Sequence, residues 1–198
     1  MKLAHVIVIA AMLIIGVLTF RDMTKPYEHS LTFEVQGDSA IVRGGTDSRS
    51  HNLVKDFVRE NPEVKTLILQ DMPGTQDMDT NRRVVLDIRA AGLATHVPSD
   101  GYIASGAVDW FISGSPRTID CGARIGVHSW GTKTGERGDK TLYDSQLRTQ
   151  RYFLNKMNVD PDFYQFTRGA AGPNEIHWLT VEEMLRYRLI TKDPGCGP

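Results

Sequence analysis

Residues 64–70 read VKTLILQ, a β-branched and leucine-rich run closed by Asp71-Met72-Pro73-Gly74. Runs of this kind belong to strands covered on both faces, which occur in parallel sheets flanked by helices. Helical patterns stand on either side of it. Leu53, Val54, Phe57 and Val58 share one helical face, predicting an amphipathic helix over Ser50–Glu60 that Asn61-Pro62 ends. A second helix is expected over residues 75–91, with Met78, Val84, Val85 and Ile88 inward and Gly92 as its C-cap. Strand alternating with helix predicts an α/β fold with a largely parallel sheet.

The flanking segments fit that plan. Residues 31–35 alternate as a half-buried strand does, Gln36-Gly37-Asp38 turns, and residues 39–43 return, so a hairpin is expected. Short strands are expected at Thr95-His96-Val97, around Arg117-Thr118-Ile119, and over residues 124–127. Residues 131–140 (GTKTGERGDK) are polar and glycine-rich, which reads as an exposed loop. A long helix should follow over residues 141–157, burying Tyr143, Leu147, Leu154 and Met157. Asp160 is expected to cap a further helix with Pro161 in its first position. Thr180 and Glu183 have the spacing of a capping box for a last helix.

The N-terminus stands apart. Residues 3–20 carry no charged side chain; Lys2 precedes them, and Arg21 and Lys25 follow. A signal-peptide core needs roughly 7–15 apolar residues and a bilayer span about 20, so the run fits a short span. Val17-Leu18-Thr19-Phe20 offers no small-residue cleavage site. We therefore expect one N-terminal hydrophobic helix: a signal-anchor over residues 1–22, a linker over 23–30, and a single domain over 31–198. Lys2 favours an N-terminus left inside, which places the domain in an extracytoplasmic, periplasmic setting, although Arg21 and Lys25 reduce the asymmetry.

Net charge is −1 with both signs interspersed, so nothing suggests a nucleic-acid partner. Arg82-Arg83 reads as a solvated helix face. Two cysteines, Cys121 and Cys196, cannot form a zinc site alone, and no metal or cofactor is expected. They either pair in an oxidising compartment or remain a small buried residue and a tail thiol.

Chemistry concentrates in residues 101–111 (GYIASGAVDWF) and 121–130 (CGARIGVHSW). The first reads as a loop that delivers Ser105 to the start of a short apolar helix. The second reads as a buried strand ending on His128. A serine at a helix N-terminus and a histidine at a strand end are what nucleophilic acyl transfer requires. Gly106 leaves room for close approach of a substrate, and Gly74 has a backbone N–H to offer an oxyanion. Taken singly, Ser105 also reads as an N-cap, His128 as a structural residue, and Asp109 as an exposed helix residue.

Three segments together resemble the Clp protease proteolytic subunit and its relatives in the Clp/crotonase fold, in particular exported, membrane-anchored bacterial members. Asp71-Met72-Pro73-Gly74-Thr75 is similar to the Pro-Gly-Gly turn that forms the oxyanion hole there. Ala104-Ser105-Gly106-Ala107 resembles the segment in which the nucleophilic serine opens a helix. Gly122 to His128 (GARIGVH) resembles the strand that ends on the catalytic histidine. Residues 178–183 with Leu189-Ile190 are similar to the closing helix. The resemblance implies a spiral of ββα units, a Ser105–His128 dyad or triad, and an oxyanion hole at Gly74 and Gly106. It also implies a peptide or other acyl substrate and a homo-oligomer, while the hydrophobic helix implies a membrane partner.

Two departures bear on activity. Thr75 stands where the turn has its second glycine. Where an aspartate is expected the chain reads Asn174-Glu175-Ile176-His177-Trp178, so Glu175 is the nearest carboxylate for a third triad member. Two other readings follow: a catalytically inactive domain of the same fold used for binding or assembly, and crotonase-like acyl-thioester chemistry.

Overall fold

The computed structural model describes residues 31–129 and 140–196. The expected anchor and linker, and nearly all of the polar 131–140 segment, lie outside the described residues. Among the described residues no helix is long and apolar enough to cross a membrane.

The expected hairpin forms from Thr32–Gln36 (β1) and Ser39–Arg43 (β2), antiparallel about a turn in which Gly37 takes a φ of 63°. Ser50–Glu60 (α1) carries the chain back to Thr66–Met72 (β3), which runs parallel to β2. The strand starts later than the hydrophobic run because Val64 still belongs to the turn, its N–H bonded to the Asn61 carbonyl at 3.1 Å. Leu67, Leu69 and Met72 are buried, while the residues between them are half-buried or exposed.

Strand β3 is the branch point of the sheet. One edge pairs with β2. The other edge is shared, with Thr66 to Ile68 facing Ala94–Val97 (β4) and Asp71-Met72 facing Tyr102–Ala104 (β5), both parallel. Strand β4 continues to Arg117–Ile119 (β6), and β5 to Arg124–Val127 (β7), again in parallel. His177–Trp178 (β8) closes the β7 side antiparallel. Splitting one strand edge between two partners turns the sheet into a spiral of strand–strand–helix units.

Helices Met78–Ala90 (α2), Ala107–Ser113 (α3), Lys140–Lys156 (α4), Phe163–Ala170 (α5) and Val181–Arg186 (α6) complete the fold. In α2, Asp77 caps the helix by accepting from the Thr80 N–H at 2.9 Å. Helix α6 has the expected capping box between Thr180 and Glu183. Helix α3 is apolar nearly all round, and Trp110, Phe111 and Ile112 are fully buried against β4, β5 and β7, as such a helix requires.

Four expectations about burial and boundaries are corrected. Met78 is 48% exposed and Leu53 44%, because each lies at the margin of its helix's inward face while Val54, Val84, Val85 and Ile88 fill the centre. Leu147 is only half-buried, whereas Leu154 and Met157 are buried; the side chain of Tyr143 lies outside the described residues. Helix α5 begins after Asp162, not at Pro161, since Asp160 is used in a turn that accepts from the Asp162 and Phe163 N–H groups.

Arg117 is 3% exposed, and among the described residues no carboxylate pairs with it. Its guanidinium donates to the carbonyls of Leu189 (2.6 Å), Met157 and Arg188 (both 2.9 Å), and Gly114 (3.2 Å). These carbonyls lie at or just past the C-terminal ends of α3, α4 and α6, where orphan acceptors and negative partial charge collect. Burial, and secondarily the charge of Arg89, lower its pKa to about 10, so it stays protonated at neutral pH. A disulfide joins Cys121 to Cys196, their Cα atoms 5.5 Å apart, and fastens the C-terminal tail to the turn between β6 and β7.

Candidate active site

Parallel strands β5 and β7 end side by side, with Ala104 in register with Gly126. The residues that follow each strand, Ser105 and His128, therefore emerge at the same end of the sheet, where α/β folds gather functional groups. Ser105 sits at a φ of 54°, in the left-handed region that non-glycine residues seldom occupy. Its N–H donates to the Gly126 carbonyl at 3.0 Å, and its carbonyl accepts from Val108 at 3.0 Å. The turn is thus pinned at both ends, and Ser105 is half-buried at the entry to α3. Strain held this way at a strand-to-helix turn is a mark of functional serines. Its hydroxyl makes no hydrogen bond among the described residues.

His128 is half-buried, and its Nδ1 lies 2.8 Å from the carbonyl of Ser129. A carbonyl only accepts, so Nδ1 carries a proton, and in the neutral ring this tautomer puts the lone pair on Nε2. A backbone carbonyl thus fixes the tautomer that a carboxylate fixes in a triad. Glu175 is exposed, and its Oε2 accepts instead from the Gly172 N–H of its own loop at 3.1 Å. That loop is nonetheless a neighbour of the histidine, since the Ala171 carbonyl accepts from the Ser129 N–H at 3.0 Å.

Gly74 takes a φ of 134°, open only to glycine, and its carbonyl accepts from the Thr46 N–H at 3.1 Å. Gly106 caps α3 and is buried. The N–H groups of Gly74 and Gly106 make no hydrogen bond among the described residues, which leaves both free to receive an oxyanion. Thr75, in place of a second glycine, bridges to Thr46 and directs its methyl group at Gly106.

No local sequence pattern signals the polar cluster behind this turn. Asn81 on α2 is fully buried and donates to the Gly106 carbonyl at 3.0 Å and to Asp109 Oδ2 at 3.3 Å. Its Oδ1 accepts from Trp110 Nε1 (2.8 Å) and from the Thr46 hydroxyl (3.2 Å). Asp109 proves half-buried rather than exposed, beside a small cavity shared with Met78, Arg82, Val85, Gln150 and Phe153. Burial pushes its pKa up to about 7, against the opposing pull of Arg82 and the Asn81 hydrogen bond. Among the described residues, no group of three His, Cys, Asp or Glu side chains is placed to hold a metal ion.

Solved structures share this architecture. A mutant of a membrane-bound stomatin-specific protease superposes with a TM-score of 0.57 at 13% identity, over 77% of this chain and 76% of that one. ClpP1 of Listeria monocytogenes gives 0.55 at 14% identity, over 78% and 89% of the two chains. A Bordetella parapertussis protein described as an enoyl-CoA hydratase/isomerase gives 0.52 at 13% identity, over 81% and 71%. At the level of sequence, no protein-family model and no curated protein matches the chain. The chain has the Clp/crotonase fold.

Proposed function

We propose that this chain is a serine hydrolase of the peptidase type, anchored in a membrane by residues 1–22 with its domain outside the cytoplasm. The observation that carries the reading is the placement of strained Ser105 and His128 at the ends of adjacent parallel strands, with the Nδ1 side of the histidine ring held by the Ser129 carbonyl. Proteases stand among the proteins of like fold, and one of them, a membrane-bound stomatin-specific protease, is also solved in complex with a substrate peptide.

In this reading His128 Nε2 takes the proton from Ser105 as its Oγ attacks an acyl carbon. The N–H groups of Gly74 and Gly106 receive the oxyanion. Collapse of the tetrahedral intermediate breaks the bond to the leaving amine or alcohol, which takes the proton back from His128. Water, deprotonated by His128, then hydrolyses the acyl-enzyme and restores Ser105. The Ser129 carbonyl orients the imidazole; Glu175 joins it only if its loop turns the carboxylate from Gly172 toward His128. The substrate is a peptide or other acyl compound, and the resemblance to Clp-type proteins supports a homo-oligomer.

The Cys121–Cys196 disulfide supports the exported location, since such bonds persist in oxidising compartments. Two observations favour a second reading, a catalytically inactive binding or assembly domain: Thr75 beside Gly106, and the Glu175 carboxylate occupied in its own loop.

Fluorophosphonate labelling of the full chain in detergent separates the two. The hydrolase reading expects labelling that Ser105→Ala and His128→Ala both abolish. A folded parent that stays unlabelled where a control hydrolase reacts overturns the hydrolase reading and favours the binding-domain one.

A further inference from the structure

The two N–H groups assigned to the oxyanion come from turns far apart in sequence, yet one buried chain of hydrogen bonds joins the carbonyls of the same two glycines. Thr46 grips the Gly74 turn with its backbone: its N–H donates to Gly74 O at 3.1 Å, and its carbonyl accepts from the Gln76 N–H at 2.9 Å. Its hydroxyl donates to Asn81 Oδ1 at 3.2 Å, and Asn81 Nδ2 donates to Gly106 O at 3.0 Å. Thr46 is 1% exposed and Asn81 is fully buried.

The orientation of the Asn81 amide is fixed by its partners. Trp110 Nε1 can only donate, so the amide oxygen faces it; the Gly106 carbonyl can only accept, so the nitrogen faces that. All four hydrogen-bonding positions of the amide are used, which a buried amide needs if it is not to be costly. Asn81 also holds α3 at two successive turns, Gly106 and Trp110, and so resists sliding of the helix along its axis. A fully satisfied buried network of this kind is rigid and directional where apolar packing is not.

We propose that Thr46 and Asn81 are positioning residues, a bracket that fixes the spacing between the Gly74 and Gly106 carbonyls, and through them the two residues whose N–H groups receive the oxyanion, and thereby sets the reactivity of Ser105. The proposal rests on the hydrolase reading for its consequence but not for its geometry. Neither side chain touches the reacting atoms. Their effect is on where the two donors stand, and a misplacement of about 1 Å there costs on the order of 100-fold in rate.

The test compares Thr46→Val, which keeps the shape and removes the hydroxyl, with Thr46→Ser, which keeps the hydroxyl and removes a methyl. In the full chain, T46V is expected to lower the second-order rate of fluorophosphonate labelling roughly 10- to 100-fold, without moving the midpoint of its pH profile. T46S retains most of the parent rate. A packing role gives the reverse order, with Val like the parent and Ser impaired, and overturns the proposal. If the parent itself fails to label, the hydrolase reading has failed, and the bracket is read from the amide resonances of Gly74 and Gly106 in nitrogen-15-labelled protein. A T46V change that reaches Gly106, which Thr46 addresses only through Asn81, supports the bracket. A change confined to Gly74 overturns it.

Discussion

The methyl group of Thr75 lies against the α-carbon of Gly106 so closely that no side chain fits there. A Cβ on Gly106 would collide with that methyl and stand 2.9 Å from the Thr75 Cβ. Gly106 is therefore required by its neighbour, independently of any substrate. Gly106→Ala should destabilise the domain by about 1–3 kcal/mol, the usual cost of overpacking. In a Thr75→Ser background the methyl is gone while the hydroxyl can keep its bonds to the Thr46 and Asp77 carbonyls, so the same substitution should cost less. Urea unfolding of the two single variants and the double variant gives the coupling directly. Additive costs would show that the contact is not the cause.

Ser105 carries a backbone penalty that a glycine would not. At a φ of 54° an L-residue meets the left-handed penalty of about 1–2 kcal/mol, partly offset in glycine by its greater chain entropy. Ser105→Gly should thus be more stable than Ser105→Ala by about 1 kcal/mol, although both abolish labelling. Denaturant midpoints of the two variants check this. Equal stabilities would mean that the turn is not strained.

How far these features could be read in the sequence depended on how local their causes are. The β1–β2 hairpin, α1, the Thr180–Glu183 capping box and the strand ending at His128 each follow from contiguous patterns, and the structure has them. Strand β5 did not show, because Tyr102–Ala104 is too short for a period to register. Strand β8 was invisible for a related reason: His177–Trp178 is a strand only through its pairing with β7. Asn81 and Thr46 left no signal either. An asparagine within a helical pattern reads as surface, and only the distant Gly106 and Trp110 make it a buried hub. Asp109 reads as exposed for as long as α2 and α4 are not known to enclose it.

Arg117 shows the same non-locality in the energetics. It is the common donor for carbonyls at or just past the ends of three helices, so replacing it leaves several buried acceptors without partners at once. Each such loss costs about 1–3 kcal/mol, which makes Arg117→Met strongly destabilising even though a buried charge is removed. Arg117→Lys should recover only part of the loss, because an ammonium cannot span the fork that reaches Leu189, Met157 and Arg188. Thermal unfolding should rank the parent above Lys and Lys above Met. A Met variant as stable as the parent would show that the carbonyls find other partners.

Asp109 makes stability depend on pH in a defined direction. Its carboxyl is raised from an ordinary value of 3.8 to about 7, chiefly by burial. Below pH 3.8 both folded and unfolded chains hold the proton, and the group has no effect. Between there and pH 7 the unfolded chain releases a proton that the folded chain retains, so stability falls as pH rises. Above pH 7 the cost is complete and constant. Asn81 and Arg82 face the ionised form and limit the cost without cancelling it. Asp109→Asn cannot ionise, so it should raise the melting temperature at pH 8, with the gain shrinking toward pH 5. Parallel thermal melts of parent and variant across that range test the sign. A gain that is constant with pH would assign the effect to packing in the cavity beside Met78 and Phe153, and a loss at pH 8 would mean that the ionised carboxylate stabilises the fold.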